Sequence, residues 1–210
     1  MVLNNKQKII EEILNSFIHG IGIILSIIGL VVLFLDPAKT NTSIKIIGFG
    51  VFGTCLILMY LTSTLSHSLT FTKARKVFLA FDYSSIFLLI AGTYTPFMIL
   101  VLKGRLGWVL LGIVWLLAIL GIILKAVFLE KLKLLTLVFY LLLGWIAPIV
   151  VKPLWVSLKP DMLSLLVLGG ICYSFGIFSF AYKKIPFSHA IWHLFVLLGS
   201  VFHFLAVRLI

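Results

Sequence analysis

Residues 186–207 read PFSHAIWHLFVLLGSVFHFLAV. The stretch contains no Asp, Glu, Lys or Arg, and it matches the about 20 apolar residues a helix needs to cross the hydrocarbon core of a bilayer. It nevertheless carries His189, His193 and His203. A run of this kind reads as a membrane-spanning helix, and ionisable groups inside such a helix are costly enough to mark functional positions. Pro186 suits the first helical position, where its fixed φ and missing N–H do no harm.

Six more apolar runs precede it, at about 16–35, 44–65, 77–100, 106–124, 134–151 and 162–182. Pro148 predicts a kink or break near the end of the fifth of these. The chain of 210 residues is 62% hydrophobic and 11% charged, against roughly 45–50% and ~25% in soluble domains. That leaves too little polar surface for an ordinary soluble enzyme, a disordered regulator or a nucleic-acid binder. The expected fold is all-α: one seven-transmembrane-helix domain over residues 1–210, multi-pass in the cell membrane. The first run is too long for a signal-peptide core and lacks a small-residue cleavage site after it, so it reads as a retained helix.

The net charge of +11, from 17 Lys+Arg against 6 Asp+Glu, is scattered over the gaps between runs. This is the pattern of loops at a membrane surface rather than a phosphate-binding stripe. Ten basic residues, Lys125, Lys131 and Lys183 among them, fall on the side of the N-terminus and seven on the other. The positive-inside rule therefore puts the N-terminus in the cytoplasm and the C-terminus outside. Cys55 and Cys172 lie inside apolar runs and read as buried thiols.

Alternation of the helices brings the end of the second run, the start of the third and the start of the seventh to one side. His67, Asp82, His189 and His193 thus share one leaflet. His189 and His193 are one helical turn apart on one face, as are Ser63 and His67. Three imidazoles with an open fourth position form the pattern of a catalytic zinc site, with water as the fourth ligand and a pKa lowered toward ~7. Asp82 would hold or deprotonate that water, and Ser63 would supply a supporting or substrate-facing hydroxyl. Glu12, Asn15 and His19 share one face of the first helix, either as a polar support beneath the site or as an interfacial patch. His203 lies about 15 Å farther along its helix than His193, too far to share the metal, and reads as a packing residue. There is no Gly-rich phosphate loop, His-Glu-x-x-His or Cys-x-x-Cys motif.

The chain resembles the haemolysin III proteins of bacteria. These belong with the progestin and adipoQ receptors and, more distantly, the alkaline ceramidases. The resemblance rests on Glu12-Ile-Leu-Asn15-Ser-Phe-Ile-His19-Gly20, on Ser63-Thr-Leu-Ser-His67, on the segment from Phe81-Asp82 to Thr95-Pro96, and on Ser188-His189-Ala-Ile-Trp-His193. It implies a seven-helix bundle with zinc near the cytoplasmic side, ligands at His67, His189 and His193, and functional positions at Asp82 and Ser63. Ser66 departs from relatives that often carry an aromatic residue there. The resemblance also implies zinc-dependent hydrolysis of a membrane lipid amide, with zinc-bound water as nucleophile and Asp82 moving the proton to the leaving amine. Membrane lipids are then the expected partners, as substrate or ligand. Two alternatives stand beside this: a lipid sensor in which zinc is structural, and a pore-forming haemolysin.

Overall fold

The computed structural model describes residues 4–128, 133–150, 152–182 and 184–210. Among them the order is α1 (Asn5–Leu35), α2 (Pro37–Thr40), α3 (Ser43–Ser68), α4 (Arg75–Pro96) with a π-helical continuation (Phe97–Leu102), α5 (Gly104–Val127), α6 (Lys133–Val150), α7 (Lys152–Ser157), α8 (Pro160–Ala181) and α9 (Ser188–Arg208), with no strand. The expectations attached to Lys131, Val151 and Lys183 lie outside the described residues.

Six of these helices are long and apolar enough to cross a membrane: α1, α3, α4 with its continuation, α5, α8 and α9. The fifth expected span corresponds to α6, whose apolar stretch is shorter, Leu134–Ile146. Its 18 residues rise about 27 Å at 1.5 Å per residue, slightly under the ~30 Å hydrocarbon core. Its helix passes through position 148 and ends at Val150.

α1 starts at Asn5 rather than near Ser16, because Asn4 and Gln7 form a capping box: each side chain accepts the other's backbone N–H at 2.9 Å. Asn-x-x-Gln satisfies two otherwise orphaned donors, and the helix gains its polar first turns. Asp36 ends it and caps α2 by accepting the Ala38 N–H. The inward face of α1 is Asn15, His19, Gly22, Ser26, Gly29 and Leu33, at spacings of three and four. Outward it shows Phe17, Ile24, Ile28 and Leu35. Small and polar residues inward with bulky apolar residues outward suit a helix solvated by lipid, where close packing rather than water exclusion joins helices.

Pro96 accounts for the end of regular α4. Without an N–H it cannot continue the i→i−4 ladder, and the next six residues take the wider π register. The reversal at Lys103 and Gly104 uses positive φ at both residues. A side chain at Gly107 would collide with the Met98 carbonyl oxygen, so α5 packs directly on the π turn. The core is built from Phe49, Phe52, Met59 and Tyr60 of α3, Phe87 of α4, Met98, Leu143 of α6 and Val207 of α9.

α9 begins at Ser188, not at Pro186 as expected. Phe187 adopts a left-handed conformation (φ 56°, ψ 30°) and offers no side-chain cap, so the preceding proline is outside the helix. α3 and α4 pack closely, as do α8 and α9, and α1 touches both α3 and α9. That arrangement joins the start of α1, the end of α3 and the starts of α4 and α9 at one end of the bundle. The opposite end is basic too. Lys45, Lys159 and Arg208 all act on Lys39 there, and burial together with these like charges pushes the Lys39 ammonium below its ordinary range.

Candidate metal centre

The last turn of α3 supplies His67, and the first turns of α9 supply His189 and His193. The ligand nitrogens of all three lie within 4.8 Å of one another. His67 Nε2 and His193 Nε2 are 3.0 Å apart, close to the about 3.3 Å separation of two nitrogens tetrahedrally bound at 2.0–2.1 Å from zinc. The His189 ring stacks on His193, with centroids 4.6 Å apart, and meets His67 edge-on at 4.9 Å. Its far side rests on Phe180 and Trp192.

The outer nitrogens decide whether this set suits a metal. His67 Nδ1 makes a short contact with Glu12 Oε2. An ionised carboxylate only accepts, so Nδ1 carries the proton and Nε2 turns a lone pair toward the other histidines. His193 Nδ1 lies 2.7 Å from His19 Nε2. With the proton on His193 Nδ1, its Nε2 is a lone pair as well. Ligating histidines in metal sites are oriented in this way by partners at the second ring nitrogen. The donor set therefore fits a borderline cation such as zinc.

Glu12, Asn15 and His19 all reach the centre. Asn15 and His19 face into the bundle, 0% and 2% exposed, rather than forming an interfacial patch. The Asn15 carboxamide approaches His67 Nδ1 at 3.4 Å, and Arg75 Nη2 stands 3.6 Å from Glu12 Oε1. His19 meets the Tyr60 ring edge-on at 5.0 Å.

Asp82, in the second turn of α4, brings Oδ2 to 4.0 Å from His67 Nε2. The Ser66 hydroxyl is 3.0 Å from the same Oδ2 and 2.9 Å from the Ser63 carbonyl oxygen, sharing its one proton between them. Ser63 Oγ is buried beside Asp82 and interacts with its carboxylate, though it meets no hydrogen bond of regular geometry among the described residues. His203 is remote from the cluster, against Leu166 and Tyr173 on α8.

Two participants, Glu11 and Ser66, carry little signal in the sequence. Glu11 Oε1 accepts the His189 backbone N–H at 3.3 Å, so α1 caps the uncapped start of α9. Its only signal was adjacency to Glu12 on a helix whose true start was hidden. Ser66 reads in the sequence only as a departure from relatives, yet its hydroxyl holds Asp82. Lys125, counted among loop charges, is buried in the last turn of α5 with Nζ 4.0 Å over the Tyr83 ring.

An elongated cavity opens beside the cluster. His19, Asp82 and His193 form one end of its wall, and Ile86, Ile90 and Phe97 continue it along α4. From Asp82 to Met98, both in the wall, α4 rises about 24 Å at 1.5 Å per residue. Trp145, Tyr173 and His203 form the far end.

Comparison with known proteins agrees with this architecture. A family model described as "Haemolysin-III related" matches residues 7–204. "Hemolysin-3" of Bacillus cereus is 47% identical over 201 residues, covering 96% of this chain and 92% of the relative. "Hemolysin-3 homolog" of Bacillus subtilis (strain 168) is 49% identical over 197 residues, covering 94% and 92%. "Monocyte to macrophage differentiation factor" of Homo sapiens is 30% identical over 210 residues, covering 96% and 85%. With its six apolar spans, the chain is a multi-pass membrane protein and belongs to the haemolysin-III related family.

Proposed function

We propose that this protein is a zinc-dependent hydrolase of a membrane lipid amide, built as one seven-span domain with its N-terminus in the cytoplasm. The observation that carries the reading is the position of Asp82. Its carboxylate lies against the histidine cluster and also in the wall of a cavity otherwise dominated by apolar side chains. A carboxylate at the junction of a metal-binding set and an acyl-sized slot suits cleavage of a polar bond at the head of a long chain.

His67, His189 and His193 would hold the zinc, which supplies Lewis acidity toward water and toward the amide carbonyl. Glu12 and His19 fix the two ring orientations. Asp82 Oδ2 takes the proton that the attacking water loses and returns it to the amide nitrogen as the C–N bond breaks. The products are then a carboxylic acid and an amine. Ser66 steadies Asp82, and Ser63, buried beside the same carboxylate, supports it. Apolar walls along α4 align the acyl chain and keep bulk water from it.

The Bacillus relatives' name points instead to haemolysis. A pore would call for a polar face along a span, whereas the buried ionisable groups described here gather mainly at one end of the bundle. A sensor with structural zinc would use the same ligands but would have no need of Asp82. An Asp82→Asn variant separates these readings. The hydrolase reading expects retained zinc and fold with cleavage of a ceramide panel lowered at least about 100-fold. Unchanged cleavage, or no cleavage of any lipid amide by zinc-loaded wild type, would contradict it.

A further inference from the structure

The end of the bundle away from the histidines gathers positive charge from four elements. Lys39 lies on α2, Lys45 in the first turn of α3, Lys159 immediately before α8 and Arg208 at the end of α9. Packing brings these positions together. α2 rests on α1 and α3, and α8 runs along α9. α1 meets α9 just before this end, where a Cβ added at Gly29 would stand 2.9 Å from the Phe204 ring. Lys45 Nζ donates to the Ala38 carbonyl oxygen at 2.7 Å, which holds its ammonium against α2. Lys45, Lys159 and Arg208 all act on the Lys39 ammonium.

The cluster is not neutralised from within. Asp36 is the acid that acts on Lys39, and its Oδ1 accepts the Ala38 N–H at 2.9 Å. None of the four cations forms an ion pair among the described residues. Lys159 and Arg208 are exposed and Lys39 and Lys45 half-buried, so the charge is open to a ligand. α3 and α8 also turn the partially positive ends of their dipoles this way. Like charges held together repel one another, and an anion among them is attracted by each.

The surroundings suit an anion that belongs to a lipid. From Lys45 to His67, α3 rises about 33 Å at 1.5 Å per residue, against ~30 Å for the hydrocarbon core. The cations therefore stand at the edge of the bilayer. Along α9, Leu194, Leu198, Val201 and Leu205 are exposed at spacings of four, three and four residues, and exposed Arg208 follows three residues on. Ile44 and Ile47 are likewise exposed on either side of Lys45. A phosphate seated among the cations thus has an apolar, outward-facing surface directly beneath it for acyl chains.

We propose that Lys39, Lys45, Lys159 and Arg208 form a binding site for the phosphodiester headgroup of an anionic phospholipid in the leaflet at this end of the bundle. The site is independent of the hydrolase reading.

Native mass spectrometry of the detergent-purified full chain with equimolar phosphatidylglycerol and phosphatidylcholine of matched acyl chains tests it. Both lipids carry the phosphate, but the choline ammonium is repelled by the cluster. Wild type is expected to bind phosphatidylglycerol about ten-fold more tightly. Lys39→Gln/Lys159→Gln/Arg208→Gln is expected to bring the preference below about two-fold. Lys103→Gln/Arg105→Gln/Lys152→Gln removes the same charge outside the cluster and is expected to keep it. Arg208→Gln alone, a substitution at an exposed position, is expected to lose about three-fold. Equal binding of the two lipids by wild type, a preference that survives the first triple variant, or equal loss in both triple variants overturns the proposal. Displacement of phosphatidylglycerol by an equal concentration of inorganic phosphate would mark a free-phosphate site and overturns it too.

Discussion

Replacing Glu12 by alanine removes the acceptor of His67 Nδ1 without touching a proposed ligand. In the intact protein that acceptor sets the tautomer: Nδ1 carries the proton, and Nε2 faces His193 Nε2 at 3.0 Å. Without Glu12, the Asn15 carboxamide at 3.4 Å is the remaining neighbour of Nδ1. The atom there is Nδ2, a donor, so it cannot accept the Nδ1 proton and instead favours the opposite tautomer, with the proton on Nε2. Loss of such a partner weakens metal binding about 10- to 100-fold in general, or about 1.4–2.7 kcal/mol. The value here should fall toward the upper end of that range, because the Asn15 Nδ2 donor works against the ligating tautomer. Glu12→Gln retains an acceptor and should lose about three-fold to ten-fold. The loss of the Arg75 contact adds little, since a half-exposed pair contributes ~0–1 kcal/mol. The assay is zinc competition against chelators of graded affinity, with helical content followed by circular dichroism. Glu12→Ala holding zinc within about three-fold of wild type, in a protein that loses zinc when His193 is replaced, would refute the assignment of Glu12 as the partner of a ligand.

Three other outcomes follow from the same contacts. Ser66→Ala frees Asp82 Oδ2 from its neighbour at 3.0 Å and should lower lipid-amide cleavage by about ten-fold, the equivalent of one hydrogen bond to a charged group, with zinc content unchanged. Glu11→Ala removes the acceptor of the His189 N–H and should cost about 1 kcal/mol of stability, read as a lower midpoint of thermal unfolding in detergent, while Glu11→Gln stays near wild type. Gly22→Val puts a branched side chain where even a Cβ would stand 2.5 Å from Tyr60 Cε1. It should cost roughly 1–3 kcal/mol by overpacking and, because Tyr60 rests on His19, should also weaken zinc retention.

The membrane-spanning architecture was legible because apolar runs of spanning length are an all-or-none signal: six runs became helices long enough to cross. The helix ends were less legible because they depend on single contacts. Asn4 and Gln7 extend α1 over residues whose composition looked like a polar tail, and a left-handed Phe187 moves the start of α9 past Pro186. The π turn after Pro96 adds a register that no hydrophobic period announces. In the site, helix alternation and i, i+4 spacing sufficed to gather His67, His189, His193 and Asp82 at one end, since both follow from the α-helical repeat. The supports were harder to see. Which of Glu11 and Glu12 serves α3 and which serves α9 depends on how α1 rotates between those helices. The Ser66–Asp82 contact crosses from α3 to α4, and the cavity exists only once α1, α3, α4, α6, α8 and α9 are packed. None of these is encoded in spacing along one helix.

Metal content tests the central claim most directly. Detergent-purified wild type and His193→Ala, prepared without chelators, are to be measured side by side by elemental mass spectrometry. A histidine cluster that holds zinc predicts about one equivalent per wild-type chain and its loss from the variant. Wild-type protein without a stoichiometric metal, or a variant that retains it in full, would contradict the account and leave the histidines as a polar packing network.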